Sequence, residues 1–132
     1  MKIVFGLLGI VLFVVCSGGI FLFGLNEVDP PPEAVVESFT RNLTSHQYDR
    51  AWGYLDEDFK RSLGGMDALK RLALDLEQRV GETRDVRGEP LSISEHDAQA
   101  QAILKTSRTR FHCARFILSR ENGHWLIGSI RF

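Results

Sequence analysis

DAQAQAILKTSR, residues 97–108, is the stretch that decides the fold. Ala98, Ala100, Ala102 and Leu104 alternate with Gln99, Gln101 and Lys105. A period of two describes a strand with one buried face. Before it, Arg84 to Ser94 reads as another strand, bent at Gly88 and Pro90. After it, Arg110 to Ser119 carries Phe111, Phe116, Ile117 and Leu118 and reads as a third. Arg120-Glu121-Asn122-Gly123 is a hairpin signal. His124 to Phe132 closes the set with Trp125, Leu126, Ile127 and Ile130.

Upstream of Gly81 the period is helical. Ala34, Val35, Val36, Phe39, Thr40 and Leu43 fall at spacings of three and four, and Glu33 and Glu37 suit the positive end of a helix dipole. Thr44-Ser45-His46 interrupts this helix, and Ser45 is placed to cap a second one bearing Tyr48, Ala51, Trp52, Leu55 and Phe59. Asp56-Glu57-Asp58 falls near its end or in the turn after it, and Leu63-Gly64-Gly65 breaks the chain. Met66 to Val80 is the cleanest helix, with Met66, Leu69, Leu72, Ala73, Leu76 and Val80 on one side, stopped by Gly81. About three helices followed by a four-stranded antiparallel meander predict an α+β roll with the helices on one face of the sheet.

Two stretches carry a family resemblance. PEAVVESFTRNLTSHQYDRAWGYLDEDFK, Pro32 to Lys60, resembles the opening of nuclear-transport-factor-2-like (NTF2-like) domains, where a short polar break precedes a Tyr-Asp-x-Ala-Trp helix. ENGHWLIGSIRF, Glu121 to Phe132, resembles their Asn-Gly-x-Trp-x-Ile last hairpin. The resemblance spans Pro32 to Phe132 and implies the cystatin-like roll, as in membrane-anchored bacterial members. The superfamily holds enzymes, ligand-binding cones and assembly modules, so the resemblance speaks to fold more than to function. Its isomerases and hydratases use Asp and His inside the cone, and no motif here matches those roles.

The N-terminal flank has a different character. Ile3 to Leu25 contains no charged residue. At 1.5 Å per residue a helix of that length reaches about 34 Å, enough for a hydrocarbon core of about 30 Å. Ile3, Leu7, Leu12, Phe13, Phe21 and Leu25 are its anchoring residues. A cleaved signal would have a shorter apolar region, and this one continues past Cys16-Ser17-Gly18-Gly19. Lipidation at Cys16 is disfavoured by Val14-Val15 in front of it. Lys2 on one side, and no Lys or Arg in Asn26 to Asp29 on the other, predict a cytoplasmic N-terminus and a domain on the periplasmic or extracellular side. The organisation expected is a transmembrane anchor over residues 1–28, a Pro-rich linker over 29–33 and an NTF2-like domain over 34–132.

Composition bounds the chemistry. The chain has 16 basic and 17 acidic residues and a formal net charge of −1, which gives no electrostatic footprint for nucleic acid. Cys113 stands alone in the domain, within an apolar strand pattern that reads as a buried small hydrophobe. The four histidines, His46, His96, His112 and His124, show no metal-site spacing, although His112 and His124 could neighbour each other across the last strands. No phosphate loop, nucleophile elbow or paired-cysteine motif is present, so no catalytic, cofactor or metal residue is assigned. A cone lined by Phe39, Trp52, Leu76 and Phe116 would take a small apolar ligand if open, whereas a filled cone favours protein contacts. Ala98 to Arg120 holds no acidic residue, and Lys105, Arg108, Arg110 and Arg115 there form a candidate docking face. The reading these features favour is a non-catalytic, single-pass accessory subunit of a membrane protein complex. The alternative is a membrane-tethered small-ligand module.

Overall fold

The computed structural model describes residues 29–132. Four helices, α1 (Pro32–Thr44), α2 (Tyr48–Trp52), α3 (Glu57–Leu63) and α4 (Met66–Val80), precede four strands, β1 (Thr83–Ile93), β2 (Asp97–Thr106), β3 (His112–Glu121) and β4 (His124–Arg131). The strands form one antiparallel sheet in the order β1-β2-β3-β4. The helices cover one face of it, as in an α+β roll.

The sequence places α4 and the strands closely and misses the number of helices. The expected second helix is two short ones, because the chain turns at Gly53–Leu55 and Asp56 then caps α3, its Oδ1 accepting from the Phe59 amide at 2.7 Å. Ser45 does not cap α2: its hydroxyl donates back to the Arg41 carbonyl at 2.7 Å, finishing α1, and Gln47 is the N-cap. The fold class expected with a transmembrane helix is corrected to the α+β roll alone over the described residues. Among the described residues no helix is long and apolar enough to cross a membrane, and the stretch Ile3–Leu25 lies outside them.

Register explains the run of alanines in β2. Gly88 on β1, Ala102 on β2 and Ala114 on β3 stand in one row facing the helices. Ala98 and Ala100 are likewise buried on that face. These small side chains form a shallow trough, and α1 lies across β1 and β2 within it. A methyl group on Gly88 would sit 2.0 Å from the Glu33 carbonyl oxygen, so backbone meets backbone there. Arg41 fastens the other end of α1, donating to the Val86 carbonyl at 2.8 Å. Above the trough Val36, Phe39 and Leu43 from α1 join Leu69 and Leu76 from α4 in a core at most 1% exposed.

The end of α4 is held by the β2–β3 loop. The buried Thr106 hydroxyl donates to the Val80 carbonyl, and Arg108 Nη1 donates to the Gln78 carbonyl at 2.8 Å. These bonds satisfy carbonyls that a helix C-terminus leaves without intrahelical partners. The β3–β4 turn uses Asn122 and Gly123, both at positive φ (52° and 81°), the two-residue geometry that suits a twisted hairpin.

The trough is testable by one methyl group. Gly88→Ala should lower stability by roughly 3 kcal/mol, the upper range for overpacking, because the obstructing atom is main chain and cannot rotate away. The urea midpoint of the full chain reads the effect. An unchanged midpoint would show that α1 is not seated on β1 as described.

Candidate functional site

Three regions compete as sites: the interior of the roll, the clefts at its rim, and the sheet face that the helices leave open. The interior is occupied by side chains. Phe39 and Phe116 meet edge to face with ring centroids 5.8 Å apart, and Phe132 packs on Phe116 in the same way at 6.4 Å. Phe39, Leu76 and Phe116, three of the four residues expected to line a cone, are at most 1% exposed. Trp52, the fourth, is half-buried at the edge, with the Lys60 ammonium 5.9 Å from its ring.

Two rim clefts, each of about 360 Å³, lie outside that core. One is bounded by Leu43 to His46 at the end of α1, by Ala73, Leu76 and Glu77 on α4, and by Glu82 and Thr83. His46 there adopts φ 65°, and its Nδ1 lies 2.7 Å from the Tyr48 hydroxyl. The other lies between Pro30, Val35, Tyr54 and the β3–β4 hairpin, with Trp125 in its wall. His124 Nδ1 pairs with Asp29 Oδ1 at 2.9 Å on its rim. Among the described residues no group of three His, Cys, Asp or Glu side chains could hold a metal ion. His96, next to Glu95, sits in the β1–β2 turn.

The open face follows from strand alternation. On β3 the buried Ala114, Phe116 and Leu118 face the helices, so Cys113, Arg115 and Ile117 face outward. On β2, Gln99, Gln101, Ile103 and Lys105 do the same, and on β4 Ser129 and Arg131. The pairing arranges them in rows across the strands. One row is Arg87, Ile103, Cys113; the next is Glu89, Gln101, Arg115, Arg131; the next is Ser92, Gln99, Ile117, Ser129. Ile117 is 53% exposed.

The expected docking residues divide between two places. Lys105 and Arg115 belong to the open face. Arg108 is drawn to the end of α4 by its bond to Gln78, and Arg110 lies in the same loop. Arg131 was outside the expected set and stands directly opposite Arg115. Cys113 is exposed, not buried, because it alternates out of phase with Ala114. His112 pairs with Leu104 on β2, whereas His124 opposes Glu121 at the far end of β3, so these histidines are not neighbours. His112 Nε2 is buried without a hydrogen-bond partner.

With this geometry in place, the class of the domain is clear: it has an NTF2-like fold. The comparison rests on solved structures. One, described as a "Putative NTF2-like transpeptidase" from Campylobacter jejuni, matches at a TM-score of 0.62 with 18% identity, over 76% of this chain and 99% of that one. A SEC-C motif containing protein from Rhodopseudomonas palustris matches at 0.58 with 16% identity, over 76% of this chain and 77% of the other. At these identities the likeness is one of fold. No protein-family model matches the sequence, and no curated protein matches it.

The placement of Cys113 is directly measurable. In a Cys16→Ser background, the native protein should react with a thiol reagent at a rate close to that of the urea-unfolded chain. Protection by tenfold or more would put Cys113 inside and reverse the assigned faces of β3.

Proposed function

We propose that this chain is a non-catalytic accessory subunit whose roll docks onto another protein through the open face of its sheet. The observation that carries the reading is the contrast between the two faces. Phe39 and Phe116 close the interior against each other, while Ile117 stands exposed on the other side of the same sheet. In this reading the partner belongs to a membrane protein complex, a choice that rests on the uncharged sequence Ile3–Leu25 alone. Against a small apolar ligand inside the cone stands the burial of Phe39 and Phe116 against each other, while the cleft that reaches Leu76 lies at the rim.

The Campylobacter jejuni protein's description suggests acyl-transfer chemistry as a second reading. Such chemistry needs a nucleophile within hydrogen-bond reach of a base. Cys113 and His112 are adjacent in sequence but project to opposite faces of β3, since His112 pairs with the inward-facing Leu104. They do not form that pair.

Co-purification tests the docking reading. The full chain, tagged at its C-terminus and extracted in mild detergent, should bring down a stoichiometric protein partner identified by mass spectrometry. Ile117→Asp should reduce recovery of that partner by tenfold or more while leaving the circular dichroism spectrum unchanged. Recovery of free monomer alone would overturn the proposal.

A further inference from the structure

We propose that the open sheet face takes an acidic protein segment flanked by aliphatic residues, with Arg115 and Arg131 as its paired carboxylate readers. The inference rests on the docking reading and names the chemistry of the partner. The row Glu89, Gln101, Arg115, Arg131 runs across all four strands with its acid at one edge and its bases at the other. The acid is engaged within the sheet. Glu89 Oε1 accepts from Arg87 Nη2 at 3.0 Å, and its Oε2 accepts from Gln101 Nε2 at 3.2 Å.

The basic end has no such arrangement. Among the described residues, the ion pairs engage Arg41, Lys60, Arg61, Arg79, Arg87, His96 and His124, and neither Arg115 nor Arg131. Like charges directly opposite on neighbouring strands are unfavourable. The sheet itself gains nothing from this pair. A carboxylate set between the two guanidinium groups relieves the repulsion and accepts charge-assisted hydrogen bonds from their planar forks.

Apolar ground flanks the pair on both sides. The neighbouring rows present Ile103 beside Cys113 and, on the other side, Ile117. Rows on one face lie two residues apart along a strand, about 7 Å. The matching partner therefore carries a carboxylate with aliphatic groups at about that distance on either side.

Other occupants match less well. Anionic membrane surfaces are read by clusters of four to eight Lys or Arg, and the remaining cations of this face oppose acids: Arg87 pairs with Glu89, and Lys105 stands opposite Asp85. On the same face a second copy would offer Glu89, whose two oxygens are already engaged, and Asp85, which stands opposite Lys105 and within 4.0 Å of Arg41.

The test uses the full chain in mild detergent and a 16-residue peptide repeating Glu-Ser-Val-Ser, which puts a valine two residues to either side of each inner glutamate, with a Gln-for-Glu peptide as control. The acidic peptide should bind at least tenfold more tightly than the control, and less tightly as salt rises. R115Q/R131Q should abolish that preference without lowering the melting temperature. Equal binding of both peptides, or a preference that survives in R115Q/R131Q, overturns the inference. So does R115Q/R131Q-sensitive retention on phosphatidylserine rather than phosphatidylcholine nanodiscs, which assigns the pair to lipid headgroups. Loss of a dimer in R115Q/R131Q by sedimentation overturns it too, in favour of a second copy. If Ile117→Asp releases the co-purifying partner and R115Q/R131Q does not, docking stands and the acidic chemistry falls. If neither variant releases a partner, both fall.

Discussion

The close approach of α1 to the sheet at Gly88 is the constraint on which the rest of the structure depends. Side chains ordinarily hold a helix off the sheet that it covers. Here a first-turn carbonyl lies where the Cβ of residue 88 would be, and the adjoining row continues as Ala102 and Ala114. The helix is thereby lowered onto β1 and β2. Phe39, one turn above Val36, then has no room to face an empty cone and meets Phe116 from β3. The packing distance thus settles the character of the interior. In a roll of this topology, a larger floor would lift α1 and open a cavity; the glycine-alanine floor closes it.

A filled interior shifts attention to the surfaces left over, and the sheet has few of them. Its edges are blunted. β1 carries Pro90, which offers no amide to an added strand. β4 is covered at its centre, where Leu55 bridges Ile127 and the Ile127 amide donates to the Tyr54 carbonyl at 2.8 Å. Both devices discourage edge-to-edge pairing. An antiparallel sheet packed on one side normally exposes a polar face on the other. Ile103 and Ile117 in the middle of that face depart from the pattern, and the unpaired arginines beside them supply direction. Exposed hydrophobes scattered singly need no explanation, so the weight lies on their row-by-row adjacency to Arg115 and Arg131.

Much of this was legible in the sequence, and the misses have physical causes. The sequence pattern over Met66–Val80 matches the helix to the residue, because a long amphipathic stripe ended by a glycine is unambiguous. The helix count failed at Asp56: the spacing of Trp52, Leu55 and Phe59 continues a helical stripe across a turn, and a capping aspartate looks the same as one on a helix surface. The sequence does not reveal the face of Cys113, because Phe111, Phe116, Ile117 and Leu118 are apolar in both phases of the strand. Only the burial of Ala114 fixes the parity. Arg108 entered the basic patch because counting cations along a segment ignores where a loop sends them, and a helix terminus with free carbonyls competes for a guanidinium.

The outward position of Arg131 depends on a bulge that is not visible in the sequence. Strict alternation from the buried Ile127 would turn Ser129 and Arg131 inward. The register steps instead from Leu118 opposite Ile127 to Ile117 opposite Ser129, leaving Gly128 as an extra residue. Such a bulge reverses the facing of everything beyond it. Ile130 then turns toward the helix side opposite Phe116, and Arg131 turns out opposite Arg115. Glycine suits the bulge because a methyl group at 128 would lie 2.7 Å from Asp56 Oδ2. Asp56 also caps α3, and its amide donates to the Ile127 carbonyl at 2.9 Å. One aspartate therefore closes the edge of β4, starts a helix and sits against the glycine whose bulge sends Arg131 to the outer face. The basic end of that face is set by packing on the opposite side of the sheet, which no count of charges along the chain could show.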